Sequence, residues 1–236
     1  LILAIGTRLG FNSTFYSYDN ISKSAKIVQV DIDPIALGRY FPIELGINND
    51  AKKFLENLSS LISLKKFNHN NSAWVNNFFN EKNKYYKNRD NEADTNSKII
   101  QPSGLFKELR EILPKNSSVT LDAGTLCLQA TDQFYFSKPK SLFTPLDFGL
   151  VGFSFAAGLG VKLAQPNTPV FSLMGDGGFG MTVSELSTAV QHKINTITIV
   201  MNNKSWGAEK AYQRDYYKKR YIGADISSPP FHELAK

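Results

Sequence analysis

The sequence predicts an α/β protein built of two doubly wound parallel-sheet domains, and three observations carry that prediction. Short apolar runs of strand length alternate with longer stretches whose apolar residues recur at helical spacing. Glycine turns follow the apolar runs, at Gly6-Thr7-Arg8-Leu9-Gly10, Asp122-Ala123-Gly124 and Gly175-Asp176-Gly177-Gly178. Open parallel sheets bind their ligands beyond the carboxyl ends of strands, where such turns lie. A polar stretch rich in Lys and Asn, residues 65–98, interrupts the alternation once and divides the chain into 1–64 and 99–236.

In the first part, Leu1-Ile2-Leu3-Ala4-Ile5 reads as a strand running into its glycine turn. Residues 26–31 form a second strand that ends in Asp31-Ile32-Asp33-Pro34. Residues 51–64 place Phe54, Leu55, Leu58, Leu61 and Ile62 on one helical stripe, with Asp50 as the N-cap. A strand at the first residue, with no Met or basic segment ahead of it, reads as the interior of a longer protein. So does the last segment, residues 231–236, which stops inside a helical pattern.

Within 65–98, Trp74, Val75, Phe78, Phe79, Tyr85 and Tyr86 recur at helical spacing, so an amphipathic helix is expected there, followed by a linker over 91–97. The second domain opens at residue 99. Pro102 suits a first helical turn, with Leu105, Phe106, Leu109, Ile112 and Leu113 as the buried stripe and Pro114 beyond its end. A strand over 118–121 follows, then the turn at Gly124. The glycine- and alanine-rich stretch 149–160 suits a helix packed closely on the sheet. Strands over 169–174 and 196–201 flank a helix over 183–192, whose start is marked by the capping-box spacing Thr182-Val183-Ser184-Glu185.

Bulk properties narrow the class. Apolar residues make up 42% of the 236, and no apolar run approaches the length of a membrane span. The single cysteine, Cys127, excludes an internal disulfide framework, fits a reducing cytoplasm and reads as a small buried hydrophobe. The net charge of +6 collects largely in the Lys/Asn-rich stretch, so nucleic-acid binding is not expected. The three histidines, His69, His192 and His232, lack metal-ligand spacing, and no Walker loop or Gly-x-Ser-x-Gly elbow is present.

The chemistry concentrates where two strands end. Asp176 stands just past one strand and Asn203 just past the next. A right-handed crossover sets those strands side by side, so a carboxylate and an amide oxygen meet at the ligand-binding edge. Hard oxygen donors with room for phosphate oxygens and water suit Mg²⁺, and the Ser205 carbonyl is a third donor. The helix N-terminus after the turn suits an anion, and Gly177 and Gly178 allow its close approach.

This Gly-Asp-Gly to Asn-Asn pattern resembles the binding motif of the thiamine diphosphate enzymes, and the order of parts resembles their acetolactate synthase-like branch. The resemblance implies a central domain over 1–64, a helical linker over 65–98 and a thiamine diphosphate and Mg²⁺ domain over 99–236. It implies Asp176, Asn203 and Ser205 as metal ligands, and Gly175, Gly177, Gly178 and Gly124 as neighbours of the cofactor. Val151 resembles the apolar residue that props the bent cofactor.

A narrower resemblance rests on Trp206-Gly207-Ala208-Glu209-Lys210, Gln213, Asp215-Tyr216-Tyr217 and Arg220-Tyr221. It is similar to the sulfoacetaldehyde acetyltransferases, which convert sulfoacetaldehyde and phosphate into acetyl phosphate and sulfite. Asn202, where that branch carries His, and Cys127, where Asn is usual, depart from it. Both substrates are anions, so a basic pocket is expected, with Lys210 and Arg214 one helical turn apart and Trp206 and Tyr212 as walls. The resemblance further implies an activating Glu on an N-terminal domain outside this chain, and a homodimer or homotetramer. For the first domain a purely structural role is expected, with bound FAD as the alternative, because Gly6–Gly10 is not a G-x-G-x-x-G loop.

Overall fold

A computed structural model describes residues 1–14, 16–19, 21–64, 71–93 and 96–236. Expectations that fall on 65–70 and 94–95, among them His69 and part of the linker, lie outside the described residues. The chain divides into two compact units, Leu1–Phe78 and Phe79–Lys236. No helix among the described residues is long and apolar enough to cross a membrane.

The first unit holds strand β1 (Ile2–Ile5), helix α1 (Phe11–Thr14), strands β2 (Ile27–Asp31) and β3 (Leu45–Asn48), and helix α2 (Ala51–Leu64). Its sheet runs β1-β2-β3, all parallel. Strand β3 escaped the sequence reading because Leu45-Gly46-Ile47-Asn48 carries two apolar residues and a glycine; pairing with β2 fixes it instead. Helix α2 starts where Asp50 predicts, since Asp50 Oδ1 accepts the Lys53 N–H at 3.0 Å. Its apolar stripe is nevertheless not buried, Leu55, Leu61 and Ile62 being about half exposed. Periodicity identifies the apolar face of a helix and leaves open what covers it. Asp31 and Asp33 both serve local turns, accepting the N–H groups of Asp33 and Ile35.

The stretch read as a linker contains one long helix, α3 (Ser72–Glu92), divided between the two units. It extends through Asn91 and Glu92, so the expected linker begins later than residue 91. Its last turns are fastened inside the second unit. Arg89 donates to the Asp132 carbonyl and the Tyr135 hydroxyl, both at 2.8 Å, and lies over the Tyr86 ring. Burial would push the Asp90 carboxyl up, but hydrogen bonds from Arg110 and Arg89 outweigh it and hold the group below its usual range.

The second unit continues with α4 (Pro102–Ile112), β4 (Ser118–Leu121), α5 (Thr125–Gln133), β5 (Leu142–Phe143) and α6 (Phe153–Ala164). After these come β6 (Val170–Gly175), α7 (Asp176–Thr182), α8 (Glu185–Gln191), β7 (Ile197–Met201), α9 (Gly207–Tyr216) and α10 (Phe231–Leu234). The four strands lie in the order β5-β4-β6-β7 and are all parallel. The chain therefore leaves β4 toward one edge, returns past it to β6 and continues toward the other edge, which defines a doubly wound sheet.

Alternation along β6 fills both faces. Leu173 joins Phe106, Leu109, Leu126 and Phe134 on the side of α4 and α5, whereas Met174 joins Phe155, Leu159, Phe179 and Phe231 on the other. Ile112 belongs to neither cluster; at the margin of its stripe in the last turn of α4, it is largely exposed. Helix α6 begins at Phe153 rather than at residue 149, because Gly149 and Gly152 take φ values of +71° and +86°. Its close seat on the sheet is nonetheless as expected. A Cβ on Gly158 would collide with Ser172 Oγ, and the buried hydroxyls of Thr120, Ser154 and Ser172 bond one another there.

Candidate functional site at the carboxyl edge of the second sheet

The direction of winding reverses between β4 and β6, and the carboxyl ends of the strands at such a switch point are where doubly wound sheets bind ligands. Loop 122–124 leaves β4 there and the Gly175-Asp176-Gly177-Gly178 turn leaves β6. Strand β7 is the next neighbour, with Gly175 paired to Met201, so Asp176 and Asn203 do follow adjacent strand tips.

Asp176 is 1% exposed. Its Oδ2 accepts the Ser228 hydroxyl at 2.5 Å, the length of a charge-assisted bond. Its Oδ1 is buried and has no hydrogen-bond partner among the described residues. Leaving a carboxylate oxygen bare in the interior is costly unless something else satisfies it. Asn203 Oδ1 accepts the Ser205 N–H at 3.1 Å, closing a local turn around Lys204, whose φ is +54°. Ser205 pairs with Asp225 in an isolated antiparallel bridge, whose hydrogen bonds run from Trp206 N to Ala224 O and from Ile226 N to Lys204 O. In such a pair the N–H and C=O of Ser205 itself point away from the partner segment, and its N–H meets Asn203 Oδ1.

The Gly-Asp-Gly-Gly turn differs from its expected form. It is not a loop ahead of a helix but the first turn of α7, which begins at Asp176 with Gly175 as N-cap. The capping box is not made: Ser184 is helical and caps nothing, and Thr182 Oγ1 reaches back to the Gly178 carbonyl at 3.5 Å. Helical dihedrals at Val183 and Ser184 carry the chain from α7 into α8. The unpaired N–H groups of the helix start therefore belong to the motif itself.

Gly177 and Gly178 also have packing reasons. A Cβ on Gly177 would stand 2.5 Å from the Trp206 indole, and one on Gly178 would overlap Asp122 Oδ2. Asp122, 1% exposed, accepts the Gly152 N–H at 3.1 Å and the Ser154 N–H at 3.2 Å, so it caps α6 from another element. Burial pushes its carboxyl above the usual range, against the backbone N–H groups that favour the charge. Val151 precedes Gly152 and so sits beside this junction, half-buried. Gly124 caps α5 with φ +98°, a conformation that favours glycine, although open space surrounds its Cβ position. Gly207 joins the β4 and β7 loops, since a Cβ there would meet Thr125 Oγ1 at 3.2 Å and Asn203 Nδ2 at 3.3 Å.

Two models of one family match the chain. Residues 122–236 match "Thiamine pyrophosphate enzyme, C-terminal TPP binding domain" and residues 1–58 match the central domain of the same enzymes. The chain belongs to the thiamine pyrophosphate enzymes.

Among relatives, a sulfoacetaldehyde acetyltransferase of Alcaligenes xylosoxydans xylosoxydans is 30% identical over 100% of this chain and 43% of its own length. One of Castellaniella defragrans is likewise 30% identical, over 100% of the chain and 43% of its own length. An acetolactate synthase large subunit of Buchnera aphidicola subsp. Schlechtendalia chinensis is 31% identical over 100% of the chain and 41% of its own. The chain thus spans less than half the length of these relatives. A thiamine diphosphate-dependent 4-hydroxybenzoylformate decarboxylase of Rhodococcus jostii RHA1 shares the fold, with a TM-score of 0.70 and 23% identity over 89% of this chain and 37% of that one.

Among the described residues no group of three His, Cys, Asp or Glu side chains is placed to hold a metal. The donors available in this thiamine pyrophosphate enzyme are of another kind: a carboxylate, an amide and a carbonyl. The bare Oδ1 of Asp176 fits a hard cation, and Asn203 Oδ1 keeps a lone pair beyond its bond to Ser205.

The residues expected to line a substrate pocket each have partners close by. Trp206 faces Gly177. Tyr212 is 60% exposed and stands beside Tyr216. Lys210 is ion-paired with Asp225 at 2.5 Å and Arg214 forks onto Asp215 at 2.6 and 2.9 Å, so each cation already has an acid. Sequence reasoning missed Ser228 as a partner of Asp176 and took Asp122 only as part of a turn. The position of Asp122, directly after β4 as Asp176 directly follows β6, was the available signal. Cys127 is buried against Thr144, and burial pushes its thiol up, in keeping with a structural role.

Proposed function

We propose that the chain holds thiamine diphosphate through a Mg²⁺ ion liganded by Asp176, Asn203 and the Ser205 carbonyl, in an acyltransferase that converts sulfoacetaldehyde and phosphate into acetyl phosphate and sulfite. The observation that carries the metal is the buried, unpartnered Oδ1 of Asp176 beside the first turn of α7. Bound there, the cofactor supplies the nucleophilic carbon at which the substrate's carbonyl reacts. The chain's own contribution is placement. The N–H groups of the first turn of α7 would receive the diphosphate, and Gly124 and Val151 would border the cofactor.

The substrate rests on the Trp206–Lys210 string and on the 30% identity to two sulfoacetaldehyde acetyltransferases over the whole chain. A second reading, acetolactate synthase, is favoured by the 31% identity to such a large subunit. The activating Glu comes from another domain, and the enzyme is a homodimer or homotetramer, as the resemblance implies. The deciding assay mixes the whole protein with thiamine diphosphate, Mg²⁺, phosphate and sulfoacetaldehyde and measures sulfite. Sulfite release is expected; turnover of pyruvate alone, with none, would replace this substrate by the second reading. Of the two cations, Arg214 is the substrate-side candidate, 57% exposed on its side chain. Arg214→Ala is expected to raise the KM for the sulfonate or for phosphate, and unchanged constants for both would remove it.

A further inference from the structure

Asp176 offers one oxygen to Ser228 and keeps the other bare, so the Ser228 hydroxyl decides which way the carboxylate faces. Ser228 arrives on a segment, residues 222–228, that is fastened mainly by polar contacts. Only Ala224 in it is buried. The Gln213 side-chain amide bonds Ile222 in both directions, Nε2 to the carbonyl at 2.9 Å and Oε1 from the N–H at 2.7 Å. Lys210 pairs with Asp225. The bridge between Ser205 and Asp225 ties the same segment to the loop that carries Asn203 and Ser205. One strap therefore touches both ligand-bearing strand tips, and α9 holds the strap.

We infer that Ser228 is a positioning residue for the metal site, and that residues 222–228, held by Lys210 and Gln213, form a strap that sets Asp176 and Ser205 in register for one cation. The inference rests on the proposed metal ligands. It also assigns the string after the metal motif a role that substrate contact does not require, since Lys210 and Gln213 are already engaged with the strap. A ligating carboxylate that loses its outer hydrogen bond turns about its last torsion and must be ordered by the metal itself, which weakens binding.

The test measures metal binding to the whole protein at saturating thiamine diphosphate, by Mn²⁺ electron paramagnetic resonance and by the Mg²⁺ dependence of tryptophan quenching. Ser228→Ala is expected to raise the half-saturating metal concentration about 10- to 100-fold, and Ser228→Thr, which keeps the hydroxyl, to stay within about threefold of wild type. Lys210→Met removes the ion pair that holds Asp225, the bridge partner of Ser205, and is expected to raise the same constant severalfold. Wild-type metal binding in Ser228→Ala, or equal weakness in Ser228→Thr, would overturn the role of the hydroxyl. A raised substrate KM with unaltered metal binding in Lys210→Met would overturn the strap. Asp176→Ala separates the two levels. Metal-dependent binding that survives in it removes the metal assignment itself, whereas its loss there alongside a wild-type Ser228→Ala removes only the strap.

Discussion

Gly178→Ala tests the packing of the motif most directly, because the added methyl group lands on a carboxylate that cannot easily move. The Cβ would overlap Asp122 Oδ2, lie 3.1 Å from its Cγ and stand 3.4 Å from Gly152 N. Asp122 is 1% exposed and spends its oxygens on the Gly152 and Ser154 N–H groups. Retreat of the carboxylate breaks one or both bonds, each worth about 1.5–3 kcal/mol as a bond to a charged group. If the backbone shifts instead, overpacking costs about 1–3 kcal/mol. Alanine in a helix gains back about 1 kcal/mol over glycine. The net expectation is a loss of about 0.5–5 kcal/mol if the carboxylate retreats and of up to about 2 kcal/mol if the backbone shifts instead.

The assay is urea unfolding of the cofactor-free protein, so that ligand binding does not enter. Gly175→Ala is the control: its Cβ meets open space at a φ of −78°, and a change within about 0.5 kcal/mol is expected. The second arm repeats Gly178→Ala in an Asp122→Ala background, where the clash is gone and most of the penalty should vanish. Stability of Gly178→Ala equal to that of Gly175→Ala would refute the reasoning. So would an undiminished penalty in the double variant.

Asp176→Ala is expected to abolish Mg²⁺-dependent cofactor binding while changing the stability of the cofactor-free protein by less than about 1.5 kcal/mol, because relief of the bare Oδ1 is offset by loss of the bond to Ser228; cofactor binding that survives in the variant would contradict this. Burial pushes the Asp122 carboxyl up, so the folded state holds its proton more tightly than the unfolded one. Relative to Asp122→Asn, wild type should therefore gain stability as pH falls from neutrality toward the unfolded value of about 3.9, and lose it as pH rises through the raised pKa. Unfolding curves at several pH values that show a constant gap would dismiss that shift. Arg89→Ala strips the end of α3 of its bonds to Asp132, Tyr135 and Asp90, from a side chain only 9% exposed. A loss of about 2–4 kcal/mol is expected in thermal or urea unfolding, and a loss below about 0.5 kcal/mol would mean that α3 is held elsewhere.

Where an element is set by its own residues, the sequence declared it. Strands β1, β6 and β7 are largely apolar runs, β2 and β4 mix apolar with polar residues ahead of an acidic or glycine turn, and Asp50 and Pro102 mark helix starts through local hydrogen bonding and a fixed φ. Elements set by their neighbours were not legible. Strand β5 has two residues and exists through its pairing with β4, and β3 exists through its pairing with β2. The capping box at Thr182 misled because the same spacing occurs inside a helix that has already begun. At the site, Asp176 and Asn203 were readable because each follows a readable strand. Ser228 was not, since it lies 52 positions from Asp176 in a segment with no periodicity.

The glycines of the motif connect these two kinds of residue. From sequence alone they suggest an anion above the helix, but their Cβ positions are occupied from below and beside by Asp122 and Trp206. Asp122 belongs to the loop after β4 and Trp206 to the loop after β7, so a bare backbone on α7 lets the flanking loops close on the one after β6. Among the described residues this convergence leaves Asp176 Oδ1 without a partner, at the start of α7, where the first N–H groups have no intrahelical acceptor. A buried carboxylate oxygen without a partner at a helix start is the pairing that the proposed metal-bound diphosphate would satisfy on both sides, the metal at the oxygen and the anion at the helix.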